Sequence, residues 1–139
     1  MRTRVFLDTN AMMDLLSERQ PFYNYIAKIA SLADKGELDL IVSALSYTTV
    51  NYLLTKIDTP ETIKDKLRKF RIISEVASLD EEVIEKALNS NFSDFEDAVQ
   101  YFSALKSNCK IIITRNAKDF KESTLPIMTA EEFLIMRAK

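Results

Sequence analysis

The chain of 139 residues contains no histidine and no tryptophan, and it has one glycine, one cysteine and three prolines. Without histidine, the chain cannot form a serine–histidine–aspartate triad, a histidine-ligated zinc site or a histidine general base. The single glycine argues against the glycine-rich phosphate loops of P-loop and dinucleotide-binding folds. If the chain is a hydrolase, the side chains left for its chemistry are carboxylates acting with a hard, oxygen-binding cation.

Long apolar runs and a strong net charge are also absent from the sequence. No stretch approaches the roughly 18 apolar residues of a membrane span. The net charge is −2, from 19 basic and 21 acidic residues, so no overall field attracts nucleic acid or a membrane surface. Cys109 has no second cysteine with which to form a disulfide, which is typical of a reducing environment. We therefore expect a soluble, cytoplasmic protein with no signal peptide and no membrane partner.

Short apolar runs that end on small polar residues predict the strands of a parallel sheet. The chain contains three clear runs, at residues 5–7, 40–42 and 111–113, and two weaker ones, at Val76 and at residues 127–128. Segments with apolar residues at helical spacing separate these runs. The alternation predicts one α/β domain over residues 1–139, in which helices cover both faces of a mostly parallel sheet.

Capping residues predict where two important helices begin. Asn10 is a suitable cap for a short helix after the first strand. Ser93 and Glu96 have the spacing of a capping box, and this box would start a long helix. In that helix Asp94 falls in the first turn, and Asp97 lies too deep to be the cap, on the same face as Asp94.

Acidic and amide side chains follow the strongest predicted strands. Asp8 ends the first run, and Thr114, Asn116 and Asp119 follow the run at 111–113. The carboxyl ends of parallel strands share one edge of the sheet, so these side chains could converge there with Asp97. Each residue has a structural alternative, as a turn residue, a local cap or a plain surface acid. Converging carboxylates are unfavourable unless a cation neutralises them, so convergence would indicate Mg²⁺ or Mn²⁺.

Three motifs, in this order, resemble those of the PIN domain family. They read Val-Phe-Leu-Asp-Thr-Asn near the start, Asp-Phe-Glu-Asp-Ala in the middle and Ile-Ile-Thr-Arg-Asn-Ala-Lys-Asp-Phe near the end. The resemblance covers essentially the whole chain, and within the family the chain looks most like bacterial VapC-type toxin ribonucleases. It implies a compact PIN-like α/β/α sandwich with an acidic, metal-binding pocket that cleaves RNA. It also implies a cognate antitoxin as partner and a homodimer.

The resemblance assigns roles to individual positions. Asp8 matches the first acid of the family and Asp97 matches the third. The position of the second acid matches Asn51 and that of the fourth matches Asn116, so both are amides here. Asp119 could supply the missing charge. Because an amide keeps a carbonyl ligand but removes a negative charge, one bound Mg²⁺ is a better expectation than a tight two-metal site.

We therefore predict a Mg²⁺- or Mn²⁺-dependent ribonuclease whose catalytic residues and metal ligands include Asp8 and Asp97. Asp94 and Asp119 are further candidate metal ligands, and Arg115 is the candidate contact for an RNA phosphate. The auxiliary polar residues of this prediction are Asn10, Asn51, Thr114 and Asn116. The alternative is a catalytically weakened PIN-like module that binds RNA or a protein partner, and the two amides in acid positions favour it.

Two other functional interpretations have less support from the sequence. The basic residues of the run 64–71 could follow an RNA backbone, but a solvated helix face explains them equally well. A haloacid-dehalogenase-type phosphatase needs a second aspartate two residues after its nucleophile, and here that position is Asn10.

Overall fold

The computed structural model describes residues 2–139, which form five strands and seven α-helices. The strands are β1 (Thr3–Leu7), β2 (Leu38–Ser43), β3 (Glu75–Ala77), β4 (Ile111–Ile113) and β5 (Ile127–Met128). The helices are α1 (Thr9–Leu16), α2 (Tyr23–Asp34), α3 (Ala44–Leu54), α4 (Pro60–Ile72), α5 (Glu81–Leu88), α6 (Phe95–Lys106) and α7 (Ala130–Ala138). A 3-10 turn, Ala117–Phe120, lies between β4 and β5.

The five strands form one parallel sheet in the order β3-β2-β1-β4-β5. From β1 the chain builds the sheet outward to β2 and β3, and then crosses to the other side of β1 for β4 and β5. The direction of winding therefore reverses between β1 and β4. In open α/β sheets the crevice at such a reversal, at the carboxyl ends of the strands, is where ligands bind. The predicted parallel α/β fold is confirmed.

Both faces of the sheet are buried, which explains why its central strands are apolar without alternation. Val5 and Leu7 pack into a core that includes residues of α1, α2, α3, α4 and α7. Phe6, between them, points to the opposite face and packs with Tyr101 and Ala104 of α6. Over residues 2–139, the helices are too short or too polar for any of them to cross a bilayer.

The first helix begins earlier than predicted, and the predicted cap is wrong. Asp8, directly after β1, has an extended backbone, and its Oδ1 accepts a hydrogen bond from the backbone N–H of Ala11 at 2.8 Å. The chain thus passes from strand to helix with no intervening loop. Asn10 lies inside the first turn of α1, two residues after the carboxylate that caps it.

The cap of α6 also differs from the predicted one. Asp94, which has an extended backbone, accepts a hydrogen bond from the backbone N–H of Asp97 at 3.0 Å. The capping box of Ser93 and Glu96 is therefore wrong, because the adjacent aspartate takes the cap position. A charged cap is favoured here since it also interacts with the positive end of the helix dipole. Asp97 is consequently the third residue of α6.

Candidate active site

The ends of β1 and β4 are joined through the side chain of Asp8. Thr114, the residue after β4, donates a hydrogen bond from Oγ1 to Asp8 Oδ2 at 2.5 Å. The backbone N–H of Asp8 donates to the carbonyl of Ile113 at 3.2 Å. With the cap bond from Ala11, both carboxylate oxygens of Asp8 are engaged, and the residue is only 6% exposed. Asp8 is therefore fixed in position at the winding reversal of the sheet.

Asp8 and Asp97 line one cavity of about 120 Å³, between the starts of α1 and α6 and one side of α3. The structure thus brings together the two acids that the sequence singled out from distant motifs. Asn10, although not a cap, also reaches this cavity. The residues that line it are Asp8, Thr9, Asn10, Thr49, Leu53, Glu96, Asp97 and Gln100.

The environment of Asp8 disfavours its charged form. Burial raises the pKa of Asp8 to about 6, although the hydrogen bonds from Thr114 and Ala11 oppose this rise. Within that value the nearby charge of Asp14 contributes a smaller rise, and the charge of Arg115 opposes it. Because desolvation is the main cause, a cation placed beside Asp8 would restore its ionised form.

Asp97 has a still larger shift, and its cause includes other carboxylates. The pKa of Asp97 is raised to about 7, first by desolvation and then by the charges of Asp94, Asp119 and Asp8, in that order. Asp94 and Asp119 are exposed, so they act on Asp97 through their charges from the rim. Perturbed acids of this kind are typical of functional sites. The four predicted acids are therefore electrostatically coupled, with Asp97 at the centre.

A buried polar network that the sequence analysis missed lies beside the acids. The hydroxyl oxygens of Thr9 and Ser46 are 2.8 Å apart, and the amide nitrogen of Gln100 donates to Thr9 at 3.1 Å and to Ser46 at 3.2 Å. These bonds join α1, α3 and α6 behind the cavity. One feature of the sequence points to Gln100: it follows Asp97 by three residues, which places both side chains on one face of a helix.

Asn51 is not brought to the site. It is exposed on α3, whereas Thr49 and Leu53 of the same helix line the cavity. In an α-helix, residues two positions apart in the sequence point about 200° apart around the axis. Asn51 and Thr49 therefore face nearly opposite directions. Thr49 is therefore the polar residue of α3 that lines the cavity of the two acids.

Arg115 is engaged in an ion pair that the sequence did not predict. Its Nε donates to Asp14 Oδ2 at 2.7 Å and its Nη2 donates to Asp14 Oδ1 at 3.2 Å. The guanidinium carbon also lies 4.0 Å from the centre of the Phe22 ring. Arg115 lines a different cavity, of about 350 Å³, with α2 and the start of α7. Asp14 is only 2% exposed, and Arg115 is its ion-pair partner. A phosphate contact of Arg115 stays a prediction.

Asn116 and Asp119 both lie near the rim of the site. Asn116 is half-buried, and its backbone N–H donates to Thr114 Oγ1 at 3.0 Å, which helps to hold the hydroxyl that bonds Asp8. Asp119 is exposed in the 3-10 turn. Neither is among the described residues that line the acidic cavity. Within residues 2–139, no three Asp, Glu or Cys side chains are grouped closely enough to hold a metal ion by themselves.

The residues at the cavity nevertheless fit a hydrated divalent cation. Mg²⁺ keeps several of its waters and is commonly bound through one or two carboxylates, which Asp8 and Asp97 supply. The amide oxygen of Gln100 adds an acceptor: it is fully buried and has no hydrogen-bond partner among the described residues. The donor set at this cavity is thus made of oxygen atoms alone, as a hard cation requires.

The fold and the site define a class: a parallel α/β protein with an acidic cavity at the winding reversal of its sheet. The model of the PIN domain family matches residues 4–118, and the chain belongs to this family. It is 33% identical over 135 residues to Ribonuclease VapC1 of Aquifex aeolicus (strain VF5), covering 94% of this chain and 92% of that protein.

Solved structures share the same fold. One is a toxin–antitoxin complex from Klebsiella pneumoniae, with a TM-score of 0.66 and 20% identity, covering 91% of this chain and 97% of that one. Another is VapBC-1 from nontypeable Haemophilus influenzae, with a TM-score of 0.68 and 18% identity, covering 93% of this chain and 99% of that one. At these identities the likeness concerns the fold. The predicted membership of the PIN domain family is confirmed.

Proposed function

We propose that this protein is a VapC-type toxin ribonuclease that hydrolyses RNA phosphodiester bonds at the acidic cavity with a bound Mg²⁺ or Mn²⁺ ion. The observation that carries the proposal is the meeting of Asp8 and Asp97 on one cavity, where both have raised pKa values. The 33% identity to a protein named Ribonuclease VapC1 supports the same activity.

The chain's own residues have distinct tasks in this proposal. Asp8 and Asp97 bind the cation, and Asp94 and Asp119 strengthen the negative field around it. Thr114 and the cap bond of α1 fix Asp8 before any ligand arrives, which limits the reorganisation that binding requires. When bound, the cation activates a water and offsets the charge of the phosphodiester. In its absence the raised pKa of Asp97 leaves that carboxyl partly protonated near neutral pH.

The proposed partners follow from the relatives. The neighbour from Klebsiella pneumoniae is a toxin–antitoxin complex, and we propose that this protein likewise has a cognate antitoxin. A homodimer remains a proposal from the family resemblance. RNA is the proposed substrate because the curated relative is named a ribonuclease.

The test is cleavage of a mixed RNA pool by the purified protein, freed of any partner, with Mg²⁺, with Mn²⁺ or with EDTA. We expect cutting with either metal and none with EDTA. Asp8→Asn and Asp97→Asn should each abolish cutting, because each removes a carboxylate from the cation site. Asp34→Asn, at an exposed acid that ends α2, is the matched control and should cut as the wild type does. Full activity in both site variants would refute the assigned site.

A second candidate function is a binding module without nuclease activity. It is favoured by the exposed position of Asn51 and by the lack of a three-carboxylate group within residues 2–139. This candidate predicts RNA or protein binding that is the same with Mg²⁺ and with EDTA. Folded wild-type protein that binds RNA in this way, but does not cut it with any metal, would favour the module over the nuclease.

A further inference from the structure

Gln100 is a polar side chain in the largely apolar buried face of α6. Its neighbours Ala98, Val99 and Ala104 are at most 1% exposed and belong to the core, and Gln100 itself is 2% exposed. It follows Asp97 by three residues, so the two lie on the same face of the helix. Both line the acidic cavity with Asp8.

The two ends of the Gln100 amide have different surroundings. The nitrogen donates to both Thr9 Oγ1 and Ser46 Oγ. These two bonds fix the plane of the amide and therefore the position of its oxygen. The oxygen is buried and accepts no hydrogen bond from any residue in the described range 2–139. A buried acceptor without a donor is strongly disfavoured, so its retention beside the acids calls for an explanation.

A ligand of the cavity can supply the missing donor. Asp8 and Asp97 are acceptors when ionised, so neither can donate to Gln100 in that state. A hydrated divalent cation carries waters whose O–H groups are strong donors, and Mg²⁺ keeps several of them when carboxylates bind it. A neutral amide oxygen accepts from such a water without adding to the crowded negative charge around Asp97.

We propose that Gln100 is a positioning residue for the cation site: its amide oxygen accepts a hydrogen bond from a water of the cation held by Asp8 and Asp97. The inference rests on the proposed function, since it requires the cation. It gives the network of Thr9 and Ser46 a task, which is to hold that oxygen in place.

The test is Mn²⁺ binding to the folded, RNA-free protein, measured by calorimetric titration. Gln100→Met keeps the size of the side chain and removes the acceptor, and it should weaken Mn²⁺ binding by about 10- to 100-fold, as loss of an outer-sphere partner does. Gln100→Glu keeps an oxygen at this position and adds charge, so it should bind Mn²⁺ more tightly than the wild type. The hydroxyls of Thr9 and Ser46 can turn to donate to the new carboxylate.

Ser46→Ala is the matched control, because it removes one bond of the network and leaves the amide oxygen present. Because the bond from Gln100 to Thr9 remains, Ser46→Ala should weaken Mn²⁺ binding clearly less than Gln100→Met does, whatever its loss of stability. Equal weakening in Ser46→Ala and Gln100→Met would show a purely structural role and overturn the inference. If Gln100→Met does not fold, Gln100→Glu decides: an unchanged or weaker Mn²⁺ affinity would overturn the inference.

The same titration separates this inference from the proposed function. If the wild type binds Mn²⁺, Asp8→Asn does not, and Gln100→Met binds as the wild type does, only the role of Gln100 is refuted. If the wild type itself does not bind Mn²⁺, the metal-dependent nuclease is refuted and the role of Gln100 falls with it.

Discussion

Asp14 carries a carboxylate at a position that is only 2% exposed, where an unpaired charge is strongly unfavourable. Arg115 compensates this charge with two hydrogen bonds, and its guanidinium packs on the ring of Phe22. The pair links α1 to the chain directly after β4. Since Thr114, which donates to Asp8, is the preceding residue, the pair also supports the rim of the candidate site.

Breaking this ion pair should destabilise the protein. Arg115→Met leaves the carboxylate of Asp14 buried without its cation, and we expect a loss of about 3 kcal/mol in the free energy of unfolding. The double variant with Asp14→Asn removes both charges and should recover most of that loss. Urea unfolding of the single and double variants measures both effects. Wild-type stability in Arg115→Met, together with weaker RNA binding, would instead support Arg115 as a phosphate contact.

At the residue scale, the sequence predicted the acids of the site better than their supports. Asp8 could be placed because it ends a short apolar run, and such ends lie at the rim of a parallel sheet. Gln100 and Ser46 could not be placed, since their bonds join residues 54 positions apart and depend on how α3 and α6 pack. Asn51 was assigned by motif alignment alone, which does not report which face of α3 meets the sheet.

At the scale of elements, the start of α6 controls where Asp97 lies. The cap bond from the backbone N–H of Asp97 to Asp94 sets the first turn, and so fixes Asp97 three residues into the helix. The sequence could predict this helix but not its cap, because Ser93 and Asp94 are adjacent and both are good caps. The positions of the strands were easier to predict than the cap, since short apolar runs bounded by polar residues leave little choice of where a strand lies.

Substitutions at Asp94 separate its role as a cap from its charge. Asp94→Ala and Asp94→Asn both remove the charge beside Asp97, but only asparagine can still cap the helix. We expect Asp94→Ala to be less stable than Asp94→Asn by about 1 kcal/mol, the usual value of an N-cap. Ser93→Ala should match the wild type. Thermal or urea unfolding measures these differences, and a destabilised Ser93→Ala beside an unaffected Asp94→Ala would restore the capping box.

At the scale of the whole molecule, the acidic cavity makes stability depend on pH. The pKa values of Asp8 and Asp97 are about 6 and about 7 in the folded protein, above the ordinary value of 3.8. The folded state therefore holds these protons more tightly than the unfolded state does. Stability from this source is complete below about pH 4 and is lost as the pH rises through 6 and 7. The pKa values of Glu75 and Asp80 are lowered, so the stability that these two carboxylates contribute is lost only as the pH falls into the acidic range.

We therefore expect the metal-free protein to lose stability as the pH rises from about 4 to 8, in urea unfolding followed across that range. The shifted pKa of Asp8, which is almost fully buried, corresponds to a loss of about 3 kcal/mol in the free energy of unfolding. For Asp97 the loss per unit of pKa shift is smaller, because this side chain is partly solvated. Asp97→Asn should flatten the upper part of the profile, since an amide does not titrate. Asp34→Asn, the exposed control, should leave the profile unchanged.

The same profile should respond to a divalent cation. A cation that binds the ionised acids of the folded state raises stability most at a pH where those acids are charged. Mg²⁺ or Mn²⁺ should therefore restore at pH 8 the stability that the metal-free protein loses, and should have little effect on stability at pH 4. This recovery should be absent in Asp8→Asn. A stability that rises from pH 4 to 8 without metal would contradict the burial of these acids. Equal effects of metal at both ends of the range would place the cation away from Asp8 and Asp97.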